Sequence, residues 1–188
     1  MSMTESEVGE QGAPLEAARA AVAQVVSALQ AGKRPRGRRS LKDAVRLFRG
    51  AGRFGEASRA LGVLAQLELR HGKEAPALAA ARQALRAAQQ DPDPRAAGAC
   101  RELLSETHSR LAQHAQAVKV AEAWLQDALR RDDAPDVVEA LLRAALAEWA
   151  AGNKSEAFGL VDRALESARA ADLEALAARA EALLGRLL

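Results

Sequence analysis

Apolar residues recur along the chain at steps of three and four, and the pattern breaks about every twenty residues. Spacings of three and four place side chains on one face of a helix. The first such run starts at Pro14 and carries Leu15, Ala18, Val22, Val25, Val26 and Leu29 to a stop at Gly32. Ser40 then reads as an N-cap for Leu41, Ala44, Val45, Leu47 and Phe48, ending at Gly50 and Gly52. A third run, Gly55 to Arg70, has a broad apolar face interrupted by Glu68, and a fourth extends from Glu74 to Gln90. Asp93 with Pro94 reads as the start of a fifth, ending near Ala112, and Ala115 to Arg131 makes a sixth. Asp136 with Glu139, and Asn153 with Glu156, have capping-box spacing ahead of runs ending at Ala151 and Ala170. Asp172 reads as the cap of a last helix, Leu173 to Leu187.

The breaks fall near residues 32, 52, 72, 92, 112, 132, 152 and 172. Helices of equal length joined by short turns lie antiparallel to their neighbours. The pattern therefore predicts an all-α chain of about eight or nine helices arranged as antiparallel hairpins. The aromatic share is 3% and Tyr is absent, which favours thin, closely packed helices over sheets.

A longer period lies over the shorter one. Gly72 to Leu85, Ala112 to Leu125 and Gly152 to Leu165 share one pattern at an offset of 40 residues. Each has a turn, then a small residue (Ala77, Ala117, Ala157), then Ala84, Trp124 or Ala164 seven places on. Seven residues before each turn stands Ala65, Ser105 or Ala145. Small residues at such places let two helix backbones cross closely without a void. A period in this range is the mark of a repeat architecture, in which hairpins stack because none covers its own apolar face. The expected fold is a short α-solenoid over residues 14–188, with a compact four-helix bundle carrying extra helices as the alternative.

This code resembles the tetratricopeptide repeat, with a period of 40 in place of 34 and without the proline that closes each unit in that family. Gly52-Arg-Phe-Gly-Glu-Ala57 also matches the family's turn motif, 20 residues ahead of the next match. The longer unit is similar to variants in bacterial regulators and adaptor proteins. The resemblance implies a right-handed superhelix whose first helix in each pair lines a concave groove for a partner protein or peptide segment. It places Arg59, Gln66 and Arg70, then Glu102, Glu106 and Arg110, then Glu139, Leu142, Leu146 and Trp149 in that groove. Trp and Arg are enriched at interface hot spots, so Trp149 and Arg110 stand out as anchors, against the plainer reading that Trp149 packs between repeats. The Lys and Asn with which some members grip a peptide's terminal carboxylate are absent from these positions.

Charge alters this picture in one segment. The net charge is +2, but between Lys33 and Arg59 ten Lys or Arg face only Asp43 and Glu56, a balance of +8. The loop 33–39, with Lys33, Arg34, Arg36, Arg38 and Arg39, is a candidate polyanion site, since clustered guanidiniums bind phosphates and carboxylates well. A nucleic-acid-docking regulatory module is thus the alternative function. No aromatic residue interleaves the run, and a solvated loop beyond a helix C-terminus is the plainer account.

The remaining candidates point away from catalysis. Cys100 is the single cysteine and sits on an apolar face, and His71, His108 and His114 are not spaced to share a metal. No phosphate-loop, dinucleotide, nucleophile-elbow or zinc-hydrolase motif is present. Residues 1–13 are acidic and aperiodic and read as disordered, with none of the marks of a secretory signal. No uncharged apolar run is long enough to span a membrane. The expectation is a cytoplasmic, non-enzymatic adaptor that needs no cofactor or metal. Leu183, Leu184, Leu187 and Leu188 either cover the preceding pair or form a homodimer seam.

Overall fold

A computed structural model of the chain describes the backbone of residues 5–188 and side chains from Gly12 onward. Among the described residues there are nine helices and no strand. They are α1 (Glu5–Gln30), α2 (Arg38–Gly50), α3 (Phe54–Arg70), α4 (Glu74–Ala88), α5 (Ala96–Arg110), α6 (His114–Arg130), α7 (Ala134–Ala151), α8 (Lys154–Ala170) and α9 (Glu174–Leu187).

The twenty-residue rhythm is a backbone rhythm. Gly32, Gly52, Gly72 and Gly152 have φ of 72°, 69°, 70° and 91°, and Ala112, Asp132 and Asp172 have φ of 55°, 52° and 54°. A left-handed residue just past a helix lets the next amides turn back onto its last carbonyls. Lys73 N accordingly donates to Glu68 O at 2.8 Å, Gln113 N to His108 O at 2.9 Å, and Asn153 N to Glu148 O at 3.0 Å. The break near residue 92 is built differently. There Asp91 Oδ1 accepts from Asp93 N at 2.9 Å and Asp93 Oδ1 from Arg95 N at 3.0 Å, so two Asx turns carry the chain through the prolines.

Helix starts differ from expectation in detail. α1 begins at Glu5 and continues through Pro14, which therefore lies inside the helix and not in its first turn; residues 1–4, part of the segment 1–13 read as disordered, lie outside the described residues. A proline inside a helix removes one hydrogen bond and bends the helix without having to end it. Ser40 lies within the first turn of α2, its hydroxyl donating to Gly37 O at 2.9 Å, and Gly37 is the N-cap. Asp133, not Asp136, caps α7, accepting from Asp136 N at 3.2 Å. Asn153 does cap α8 by position, but its amide donates to Glu148 Oε2 at 2.6 Å and makes no side-chain cap. Asp172 supplies the left-handed turn before α9, and Leu173 takes the cap position.

The chain forms two compact units, residues 1–100 and 101–188. In the first, α1 packs on α2 and α3, α2 on α3, and α3 on α4. Leu41, Phe48, Leu61, Leu64 and Leu67 fill its core. Arg19 ties α1 to α3, its Nε 2.6 Å from Glu56 Oε1, while also pairing with Glu16. In the second, α7 packs on α6, α8 and α9, and α8 on α9. Packing of a helix on the next one and on the one after, as α1 does on α3 and α7 on α9, is how hairpins stack.

All nine small-code positions are buried, from Ala65, Ala77 and Ala84 through Ser105, Ala117 and Trp124 to Ala145, Ala157 and Ala164. Close crossing is therefore their role. Trp124, the one large residue among them, belongs to the second core beside Leu125, Leu141 and Val161. Leu183 and Leu187 close that core from α9, whereas Leu188 is 91% exposed.

Candidate functional site

The second unit carries a row of charged groups across α5, α7 and α9. Glu102, Glu106 and Arg110 follow one another at four-residue steps on α5, which keeps them in a row. Arg110 pairs with Glu106 at 3.0 Å. On α7 the row is continued by Glu139 and Arg143, and on α9 by Arg179, which pairs with Glu139. Arg143 Nε donates to Ser105 Oγ at 3.3 Å and so joins α7 to α5. Three carboxylates and three guanidiniums lie in this row across three helices.

This face is partly desolvated. Burial pushes the Glu102 carboxyl above the usual carboxylate range, and the nearby Glu139 charge adds to the rise, against Arg143 and Arg179. Burial likewise lowers the Arg143 guanidinium, opposed by Glu106 and Glu102. Charged groups held half out of water, with hydrogen-bonding capacity left over, can accept and donate to an incoming chain. A second cluster of the unit serves the fold. Asp127 takes Arg101 at 2.8 Å and Arg130 at 3.0 Å, and Arg131 pairs with Asp136 at 2.5 Å.

The apolar end of the expected groove lies elsewhere. Leu142 is 5% exposed and belongs to the core, because α7 has neighbours on three sides and its apolar arc is wide. Leu146 and Trp149 are half-buried against the same core. Trp149 meets Phe158 of α8 edge-on, with ring centres 5.8 Å apart, and Lys154 Nζ lies 5.1 Å from its ring. Trp149 thus packs within the α7–α8 hairpin, across the turn at Gly152.

In the first unit Arg59, Gln66 and Arg70 are exposed on α3, and Arg70 reaches the Leu29 carbonyl at 3.4 Å. The basic run divides. Lys33 and Arg34 are exposed. Arg38 is committed to the fold, since its Nε lies 2.5 Å from Glu68 Oε1, a carboxylate on a residue only 2% exposed. Arg36 and Arg39 instead meet His71 and Lys73 of the α3–α4 turn around one open cleft of about 580 Å³.

Sequence reasoning missed Arg143, Arg179, Glu68 and Lys73. Glu68 alone left a signal, a charge interrupting an apolar face. His108 is buried with Nδ1 2.7 Å from Gln113 Oε1, and Cys100 is buried. Among the described residues no three His, Cys, Asp or Glu side chains come together to hold a metal, and no helix is long and apolar enough to cross a membrane.

No family model and no curated protein matches the sequence. Among solved structures, the crystal structure of BtubC (BKLC) from P. vanneervenii is similar, with a TM-score of 0.68 and 24% identity. The match covers 91% of this chain and 65% of that one. The chain is an all-α stack of helical hairpins. It spans 65% of the length of BtubC, and the likeness concerns the fold alone.

Proposed function

We propose that the chain is a non-enzymatic interaction module that binds a segment of a partner protein on the polar face of α5, α7 and α9. The row of Glu102, Glu106, Arg110, Glu139, Arg143 and Arg179 carries the reading. A half-desolvated, charge-balanced row costs stability, and the core of the unit is complete without it. The small-residue code, which resembles the tetratricopeptide repeat, supports the same face, since first helices of such pairs carry the ligand. Affinity purification from the native host with the wild-type chain and with Glu102→Lys/Glu139→Lys tests it. Proteins captured by the wild type should be lost with the variant while helicity and melting persist. Equal capture by both defeats the reading.

A second reading, docking on a polyanion through residues 33–59, draws support from the gathering of Arg36, Arg39, His71 and Lys73 around one cleft. Binding to nucleic acid should then fall steeply with salt. A gel shift at low salt that shows no complex removes that version.

A further inference from the structure

The first unit carries a surface of its own. A cleft of about 360 Å³ crosses α2, α3 and α4, floored by Val45, Leu61, Leu64 and Ala80. This volume lies in the lower part of the range of small-ligand pockets, roughly 300–1,000 Å³. Its polar wall is Arg38, seated on the buried Glu68, and Lys42. Leu61, Leu64 and Glu68 stand on the opposite side of α3 from Arg59 and Gln66, by the hundred-degree step of a helix.

Arg38 is also a wall of the open cleft formed by Arg36, Arg39, His71 and Lys73. The two clefts are therefore neighbours, one apolar and one cationic. The carboxylate lining the cationic cleft, Asp43, pairs with Arg46 at 3.1 Å. Among the described residues no carboxylate pairs with Arg36, Arg39, Lys42 or Lys73. Cations gathered without internal partners repel one another and give the fold nothing. An external acid would relieve them.

We infer that the paired clefts receive an acidic amphipathic segment of another protein. Its apolar side chains enter the cleft across α2, α3 and α4, and its carboxylates meet Arg36, Arg39 and Lys73. Nucleic acid would use the cations alone and leave the apolar floor unfilled, so the pairing of the two clefts favours a protein segment.

The test uses the full chain and three probes read by fluorescence anisotropy. They are a labelled helical peptide with Leu on one face and Glu on the other, its Lys-for-Glu counterpart, and a single-stranded oligonucleotide. The Glu peptide should bind at least tenfold more tightly than either of the others. Ala79→Trp, which fills the cleft from an exposed position without changing charge, should weaken it about tenfold, as should Arg39→Gln/Lys73→Gln. In the wild-type chain the methyl resonances of Leu61 and Leu64 should shift when the Glu peptide is added. Still methyl resonances, equal binding of the Glu and Lys peptides, tighter binding of the oligonucleotide, or unchanged affinity in a folded Ala79→Trp chain would each overturn the inference.

Discussion

Ser105 Oγ donates a hydrogen bond to the Ala117 carbonyl, 2.9 Å away, where α5 crosses α6. The equivalent positions are Ala65 with Ala77 and Ala145 with Ala157, with no hydroxyl in either pair. The same Ser105 oxygen accepts from Arg143. One small side chain thus sets a helix crossing and anchors the polar face. Ser105→Ala should leave no cavity, since alanine serves at the sister sites, yet cost about 1 kcal/mol for the lost hydrogen bonds. Urea denaturation reads this directly, and an unmoved midpoint would show the hydroxyl to be idle.

Ala112 holds φ of 55°, a conformation that costs an L-residue roughly 1–2 kcal/mol. Glycine takes it freely, as Gly72 and Gly152 do at the equivalent turns. Ala112→Gly should stabilise the chain by about 1 kcal/mol, raising its melting temperature by about 2–4 °C. Gly72→Ala, at φ of 70° with open space around the missing Cβ, should lower stability by a similar amount in the first unit. Calorimetry of both variants checks the pair, and a fall in the melting temperature of Ala112→Gly would refute the strain argument.

Arg38 is about half exposed, whereas Glu68 is buried, so the two ends of this ion pair are not equivalent. Arg38→Ala strands a buried carboxylate. It should cost about 2 kcal/mol, below the roughly 3–5 kcal/mol of fully buried pairs because water reaches the guanidinium side. Adding Glu68→Leu to Arg38→Ala should recover most of that loss, since the neighbouring floor of Val45, Leu61 and Leu64 is apolar. A double variant no more stable than the single one would contradict this account.

Glu102 and Asp127 should respond to pH in opposite senses. The folded chain holds the Glu102 proton more tightly than the unfolded chain does, because its carboxyl is pushed up by burial. Its contribution to stability therefore falls as pH rises from the ordinary carboxylate value through the raised one. Glu102→Gln should be more stable than wild type at neutral pH, with the difference vanishing in acid. Burial pushes Asp127 up, but hydrogen bonds from Arg130 and Arg101 outweigh it and its net shift is downward. Its contribution is present above the ordinary carboxylate value and is lost as pH falls through the lowered one. Asp127→Asn should be less stable than wild type at neutral pH and converge with it in acid. Denaturation curves across this range decide both, and parallel pH profiles of the two variants would refute the assignment.

The helices and their joints were legible because seven of the eight joints repeat one backbone state at fixed spacing, and because the small crossing residues recur with it. The candidate face was half legible. Glu102, Glu106, Arg110 and Glu139 are expected there from the first-helix register that the tetratricopeptide resemblance implies. Leu142 and Arg143 could not be placed, because adjacent residues on α7 point about 100° apart. Which of the two is buried depends on how many neighbours α7 has. Arg38 and Glu68 lie 30 positions apart, and nothing local to either foretells the pairing.

The left-handed joints are built on Gly, Ala and Asp at different cost, so what recurs is a bend and not a residue. Two joints 40 positions apart, Ala112 and Gly152, are then interchangeable hinges in the construction of the chain. Removing residues 113–152 would join Ala112 to Asn153 at the same bend and shorten the molecule by one whole hairpin. Circular dichroism of that chain should show undiminished helicity per residue, whereas a deletion out of step with the bends should lose it. Length, on this view, is a quantity the architecture can change in units.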